Sequence, residues 1–290
     1  QPRSRGLGDV YKRQMNKKYS ELAELFRSEK TDEEILDFLL NYHKNDIADM
    51  MAGMTEEERK RLYHLLGAQK VAEIFKYIEE PRKYIRELSV ESAARVISEM
   101  DSDDAVDLLE DLDPEEKEQI VRMLDEDAKK DVKMLLSYDE EEIGSCMTTN
   151  YICIPENLTI RQAMSELVKQ AGENDNIMTI YVVDEKGVFA GAIDLKDLIR
   201  ARENAHLEDL VLKSYPYVTD HEKIDDCMDR ILDYAEDSIP VLSEDKKILG
   251  VITSEDLIEM VDNEMGEDYA KLAGPVSYTH LRAHETEADL

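Results

Sequence analysis

The sequence predicts a multidomain chain, an all-α superhelical hairpin-repeat domain followed by an α+β domain built from two like units. Three observations lead there. Up to about Tyr138, short apolar stripes at helical spacing follow one another across brief polar turns. Beyond "IGSCMTTNYICIPENLTI" the pattern changes to short β-branched runs alternating with helices. Within that second part, "IYVVDEKGVFAGAIDLKDLI" over 180–199 aligns without gaps to "IPVLSEDKKILGVITSEDLI" over 239–258, placing Gly191 on Gly250 and Asp197 on Asp256.

Size and composition set the limits. At 290 residues with 42% hydrophobic content the chain can build two cores. A formal charge of −32 excludes a general nucleic-acid binder, which needs clustered Lys and Arg, and favours cations or basic partners. Cys146, Cys153 and Cys227 lack metal-type spacing and cannot all pair, which fits a reducing compartment. No secretory signal and no apolar run of about 18 residues is present, so this stretch is not expected to cross a bilayer.

In chain order, residues 1–14 ("QPRSRGLGDVYKRQ") and 275–290 ("PVSYTHLRAHETEADL") resemble translated adapter sequence and are expected to be non-native flanks. His280, His284 and Glu285 imitate a helical metal triad inside the second flank and are set aside with it. Residues 15–138 form the helical domain, with "DIADMMAGM", "AQKVAEIFKYI", "AARVISEM", "AVDLLEDL" and "EKEQIVRML" as helices and "TEEE" and "LDPEE" as turns.

One stretch stands out. "DSDDAVDLLEDLDPEE" over 101–116 contains nine acids and no Lys or Arg. Ala105, Leu108, Leu109 and Leu112 make its apolar stripe, with Ser102 as expected N-cap. Asp103, Asp107, Glu110 and Asp111 project from the opposite side, where like charges one turn apart repel. The face is either solvated or a site for a cation that the chain does not itself supply.

The first repeat spans 139–204 and the second 205–263. "TIRQAMSEL" resembles "KIDDCMDRI" upstream of the aligned blocks, so each copy reads helix, strand, polar turn, strand, helix. Two such copies are expected to pack face to face about a pseudo-dyad. The double unit resembles a tandem cystathionine β-synthase (CBS) domain pair. With the helical part before it, the junction "YDEEEIGSCMTTNYICI" and the terminal "TSEDLIEMVDNEMGEDYAKLAG", residues 15–274 resemble the cytosolic region of the MgtE family of magnesium channels. Residues 264–274 would begin the family's connecting helix.

That resemblance implies a protein at the cytoplasmic face of the cell membrane, continued by a transmembrane pore missing from this stretch, homodimeric through its CBS domains and closed when magnesium binds between its domains. By motif the implied magnesium ligands are Asp103, Asp107, Asp225, Asp256, Glu259 and Glu267. Magnesium takes oxygen ligands, retains several waters and uses one or two carboxylates, so its ligands can be scattered in sequence. Where the family can place an Asp after the Tyr of "DY", this chain has Ala235. CBS pairs also bind adenosyl nucleotides, and Asp197 and Asp256 occupy the ribose position of the G-x-x-[ST]-x-x-D motif. ATP is therefore a second implied ligand, with Asp197 as its ribose acceptor, although Asp194 replaces the Ser/Thr in the first repeat.

No enzyme signature accompanies these features, since the sequence has no Walker-type loop, dinucleotide fingerprint or zinc-spaced Cys/His cluster. His43, His64, His206 and His221 are isolated. Two rival readings stand beside the magnesium sensor: a nucleotide-sensing CBS module of another protein, and a helical-repeat scaffold for a basic partner.

Overall fold

The structure is a computed structural model and describes Phe26 and residues 31–78, 80–202, 205–234, 236–258 and 260–261. Ala235, Glu259, Glu267, the connecting helix over 264–274, both flanks and the His280, His284 and Glu285 triad lie outside the described residues. No described helix is long and apolar enough to cross a membrane. The chain divides into two compact units, 1–139 and 140–290.

The first unit runs α1 (Asp32–Leu39), α2 (Lys44–Ala52), α3 (Glu56–Phe75), α4 (Pro81–Ile85), α5 (Val90–Ser98), α6 (Ser102–Glu110), α7 (Pro114–Met123) and α8 (Glu126–Leu135). Starts are written locally. Thr31 and Thr55 each form a reciprocal capping box with the Glu three residues on, so "TEEE" opens a helix and is not the expected turn. Gly67 breaks α3 with φ 76°, in the left-handed region that glycine tolerates, which is why the apolar period restarts at Ala68. Helix α2 packs on α3, α3 on α5, α5 on α7 and α6 on α8, the next-neighbour stacking of a hairpin superhelix.

Arg59 fastens this stack. Its guanidinium is 6% exposed, donates from Nε to Glu87 Oε2 at 2.8 Å and from Nη1 to the Met51 carbonyl at 3.2 Å, and also reaches the Met54 carbonyl. It thereby satisfies carbonyls at the end of α2 and neutralises a buried carboxylate in one contact. Tyr84 lies with its ring centroid 5.2 Å from the guanidinium carbon.

The second unit places a strand before each repeat's first helix, an element the sequence pattern did not assign to the repeat. Its order is β1 (Ile152–Pro155), α9 (Ile160–Gln170), β2 (Thr179–Val183), β3 (Phe189–Asp194), α10 (Leu195–Arg200), then β4 (Val218–Thr219), α11 (Ile224–Leu232), β5 (Ser238–Leu242), β6 (Ile248–Thr253) and a helix from 254. Each three-stranded sheet has one parallel and one antiparallel pairing: β1 runs with β2 and β2 against β3, β4 with β5 and β5 against β6. In the first repeat Ile152, Ile154, Ile180, Val182 and Ile193 pack on Ile160, Ala163, Leu167 and Leu198 of the helices.

The repeats are joined reciprocally. Thr148, ahead of the first sheet, bridges to Val251 in β6, and Leu212, ahead of the second, bridges to Ala192 in β3. Glycine makes both crossings possible. A Cβ on Gly191 would meet the Leu212 carbonyl oxygen at 2.5 Å, and one on Gly250 would meet the Thr148 carbonyl oxygen at 2.7 Å. Between the sheets Tyr181, Ala192, Tyr215 and Val251 form a second core. There the Tyr181 hydroxyl lies 2.6 Å from Ser238 Oγ, and the Tyr215 hydroxyl donates to the Ser238 carbonyl at 2.8 Å.

A strap over 140–144 fastens the start of this unit to its second repeat, not the first. Ile143 N donates to the Glu222 carbonyl at 2.9 Å, Gly144 N to that of Asp220 at 3.0 Å, and Ile224 N returns to that of Glu141 at 2.9 Å. Two side-chain pairs flank the strap, Lys223 with Glu141 at 2.6 Å and His221 Nδ1 with Glu142 at 2.9 Å.

Two measurements test this architecture. Gly250→Ala should destabilise the second unit by about 1–3 kcal/mol in chemical denaturation, the usual cost of overpacking, whereas Gly172→Ala, whose Cβ would sit 3.5 Å from its nearest neighbour, should leave that transition intact. The hydrogen bond to Glu142, then the charge of Asp220, raise the His221 pKa above its usual 6.5. The folded pKa therefore exceeds the unfolded one, so His221 contributes stability below about pH 6.5 that is lost as pH rises through the raised value. Denaturation midpoints of wild type and His221→Gln should differ most at pH 6 and converge above pH 8, and a constant gap would refute the linkage.

Candidate functional site

The expected metal residues fall on three helices. Asp103 and Asp107 lie one turn apart on α6, half-buried and exposed respectively. Helix α6 is held by its apolar side, with Ala105, Leu108, Leu109 and Leu112 all buried as the spacing predicts. Asp101 is its N-cap and Ser102 its first helical residue, one position from the sequence expectation. Asp225 sits exposed in the first turn of α11. Asp256 is half-buried in the helix after β6, where its Oδ2 accepts from Thr253 N at 2.7 Å while its own N–H donates to Thr253 Oγ1 at 3.2 Å, a capping box that fixes one carboxylate oxygen.

Two lysines attend these acids, and sequence spacing pointed to neither. Lys76, at the C-cap of α3, forms an ion pair with Asp101 at the head of α6. The chain thus sets a cation of its own beside the N-cap of the acidic helix. Burial works to lower the Lys76 pKa, but Asp101, Asp104 and Asp103 outweigh it and hold the ammonium above the ordinary lysine value. At α11, Lys223 pairs with Glu141 and also lies in the field of Asp226 and Asp225.

Among the described residues no group of three or more His, Cys, Asp or Glu side chains is placed to hold a metal ion by itself. Each unit carries two of the expected carboxylates, Asp103 and Asp107 in the first and Asp225 and Asp256 in the second. As a donor set, carboxylates suit a hard, hydrated cation such as magnesium better than zinc, which takes nitrogen and sulfur ligands. The three cysteines are free.

The nucleotide expectation fares differently. Asp197 is exposed in the first turn of α10, and its counterpart's capping box is absent because Asp194 stands where Thr253 does. Its carboxylate could accept ribose hydroxyls. Close by, burial and then the charge of Asp194 raise the pKa of Glu236, and no lysine or arginine among the described residues pairs with Asp194, Asp197 or Glu236. Lys213 and Arg230 line a cleft of about 510 Å³ with Tyr215, Tyr217 and Tyr234. Both are engaged there, Lys213 by Glu208 at 2.9 Å and Arg230 by Glu222.

Comparison with known proteins meets this geometry. Residues 42–141 match the MgtE intracellular N domain, and residues 141–204 and 207–263 match the CBS domain. The chain is 36% identical over 265 residues, 90% of its length, to the magnesium transporter MgtE of Enterococcus faecalis (strain ATCC 700802 / V583), and it spans 58% of that relative's length. The crystal structure of the soluble part of a magnesium transporter superposes with a TM-score of 0.81 at 30% identity, covering 86% of this chain and 99% of that one. The cytosolic domain of the Mg2+ channel MgtE, crystallised in complex with ATP, does so at 0.73 with 26% identity, covering 83% and 99%. On both the domain matches and the superposition, the chain belongs to the MgtE family and comprises its N domain followed by its tandem CBS pair.

Proposed function

We propose that this chain is the magnesium-sensing and gating region of a magnesium channel or transporter, working at the cytoplasmic face of the membrane on a transmembrane pore supplied by the rest of the protein. The observation that carries the reading is the likeness over the N domain and CBS pair to the soluble part of a magnesium transporter. Asp103 and Asp107 on α6, and Asp225 and Asp256 in the second unit, are proposed as ligands, with water completing the shell of a hard cation. Without magnesium the acidic faces repel. Magnesium bridging them selects a compact state, and that population shift closes the pore. Glu259 and Glu267 are proposed as further ligands. Neither an enzymatic role nor nucleic-acid binding is part of this reading. ATP is proposed as a second ligand of the CBS pair, with Asp197 as its ribose acceptor, in line with the cytosolic domain of the Mg2+ channel MgtE having been crystallised in complex with ATP.

The second repeat also supports a homodimer. Exposed apolar residues recur at equivalent positions of the two copies: Val168 on α9 with Leu232 on α11, and Ile199 on α10, 62% exposed, with Ile258, 65% exposed. A face repeated about an internal pseudo-dyad is self-complementary to the same face on a second copy, which is the partner proposed for it.

Two experiments test these statements. A ligand that binds only the native state adds RT ln(1 + [L]/Kd), about 1.4 kcal/mol per site at tenfold saturation, so magnesium should raise the melting temperature by several degrees. Small-angle scattering should show the radius of gyration falling with magnesium more than with potassium at equal ionic strength. Asp103→Asn with Asp107→Asn should blunt both responses, and undiminished responses would move the site off α6. For the dimer, Leu232→Asp with Ile258→Asp should give monomers in analytical ultracentrifugation, and a dimer that survives would displace the interface.

A further inference from the structure

Lys76 is the charge on α6 that the magnesium reading does not use. Its Nζ pairs with Asp101, and its ammonium also lies in the field of Asp103 and Asp104, the first turn of the helix that presents Asp107. Asp101 is the N-cap residue of α6, so the pair sits at the head of that helix. The lysine is also placed with some rigidity, because it is the C-cap of α3 and its side chain is only 34% exposed.

A fixed monovalent cation beside a carboxylate cluster acts in two opposed ways. In the ion-free protein it offsets the mutual repulsion of Asp101, Asp103 and Asp104 and so keeps the head of α6 folded. Towards an arriving divalent cation it is a like charge, and it lowers the affinity of the same carboxylates. We propose that Lys76 is a tethered counter-cation that sets the magnesium concentration at which Asp103 and Asp107 load. This rests on the magnesium reading above. Its consequence is a threshold: the ammonium offsets part of the cluster's charge, and magnesium loads only once it is plentiful enough to bind against that field.

The test is a magnesium titration of thermal stability on the full chain, starting in chelator, for wild type, Lys76→Gln and Lys76→Arg. Lys76→Gln should melt lower than wild type in chelator yet reach half of its magnesium-induced shift at a concentration lower by about threefold or more, in line with the strength of half-exposed charge pairs. Lys76→Arg keeps the charge and should titrate like wild type. If Lys76→Gln does not fold in chelator, magnesium should restore its unfolding transition, and failure to do so overturns the proposal. An unchanged or higher midpoint in Lys76→Gln overturns the role of Lys76 while leaving the magnesium reading intact. A wild type with no magnesium response overturns both.

Discussion

The second unit depends on two backbones passing within contact distance of two glycines. With no Cβ at Gly191 and Gly250, the segment ahead of each repeat lies across the sheet of the other and pairs with its last strand. Neither three-stranded sheet is long enough to stand alone. The exchange lets each copy complete the other, and it fixes the inter-sheet core in which Tyr181, Tyr215 and Ser238 satisfy one another's polar groups. It also determines where function can sit. The helix carrying Asp256 begins directly after β6, the strand that the crossing at Gly250 holds in place.

The first unit answers a different problem, that of folding a chain with a formal charge of −32. Several of its cations tie distant segments together. Arg59 is buried against Glu87 and the end of α2, Arg86 reaches Asp113 and Glu116 at the head of α7, and Lys76 reaches Asp101 at the head of α6. Each contact joins a residue to an acid or carbonyl 25 or more residues away or at a helix boundary, where repulsion between neighbouring helices would otherwise be strongest.

Much of this was legible in the sequence. The apolar stripe of α6 fell where its spacing predicts, and the gapless alignment of 180–199 with 239–258 marked Gly191 and Gly250 as equivalent. The alignment could not say what the glycines were for, because the atoms they admit come from Thr148 and Leu212, outside the aligned blocks. Strands β1 and β4 escaped assignment to the repeats for a related reason: four and two residues long, they carry too little alternation to register as a period. The partner of the acidic helix was hidden by distance. Lys117 follows the stretch directly and reaches Glu110 at 3.9 Å, but Lys76 arrives from another helix, and only packing brings it there. Asp256 looked like Asp197 in the alignment and differs in fact, since one residue, Thr253 against Asp194, decides whether the carboxylate is fixed by a cap.

The strap and the crossings bear on how the protein is made. The helices of the first unit bury their stripes against neighbours one or two helices away and can complete their packing as they leave the ribosome. The second unit cannot. The strap's Glu141 waits for Lys223, 82 residues later, and Tyr151 finds the Ile248 carbonyl only 97 residues on. The edge at Ala192 is paired once Leu212 emerges, but until β6 is synthesised the face around Tyr181 lacks Val251 and Ile248, the kind of surface on which nascent chains associate with the wrong partner. Completion of β6 therefore closes the core between the repeats and pairs Thr148, a late step in the folding of this unit.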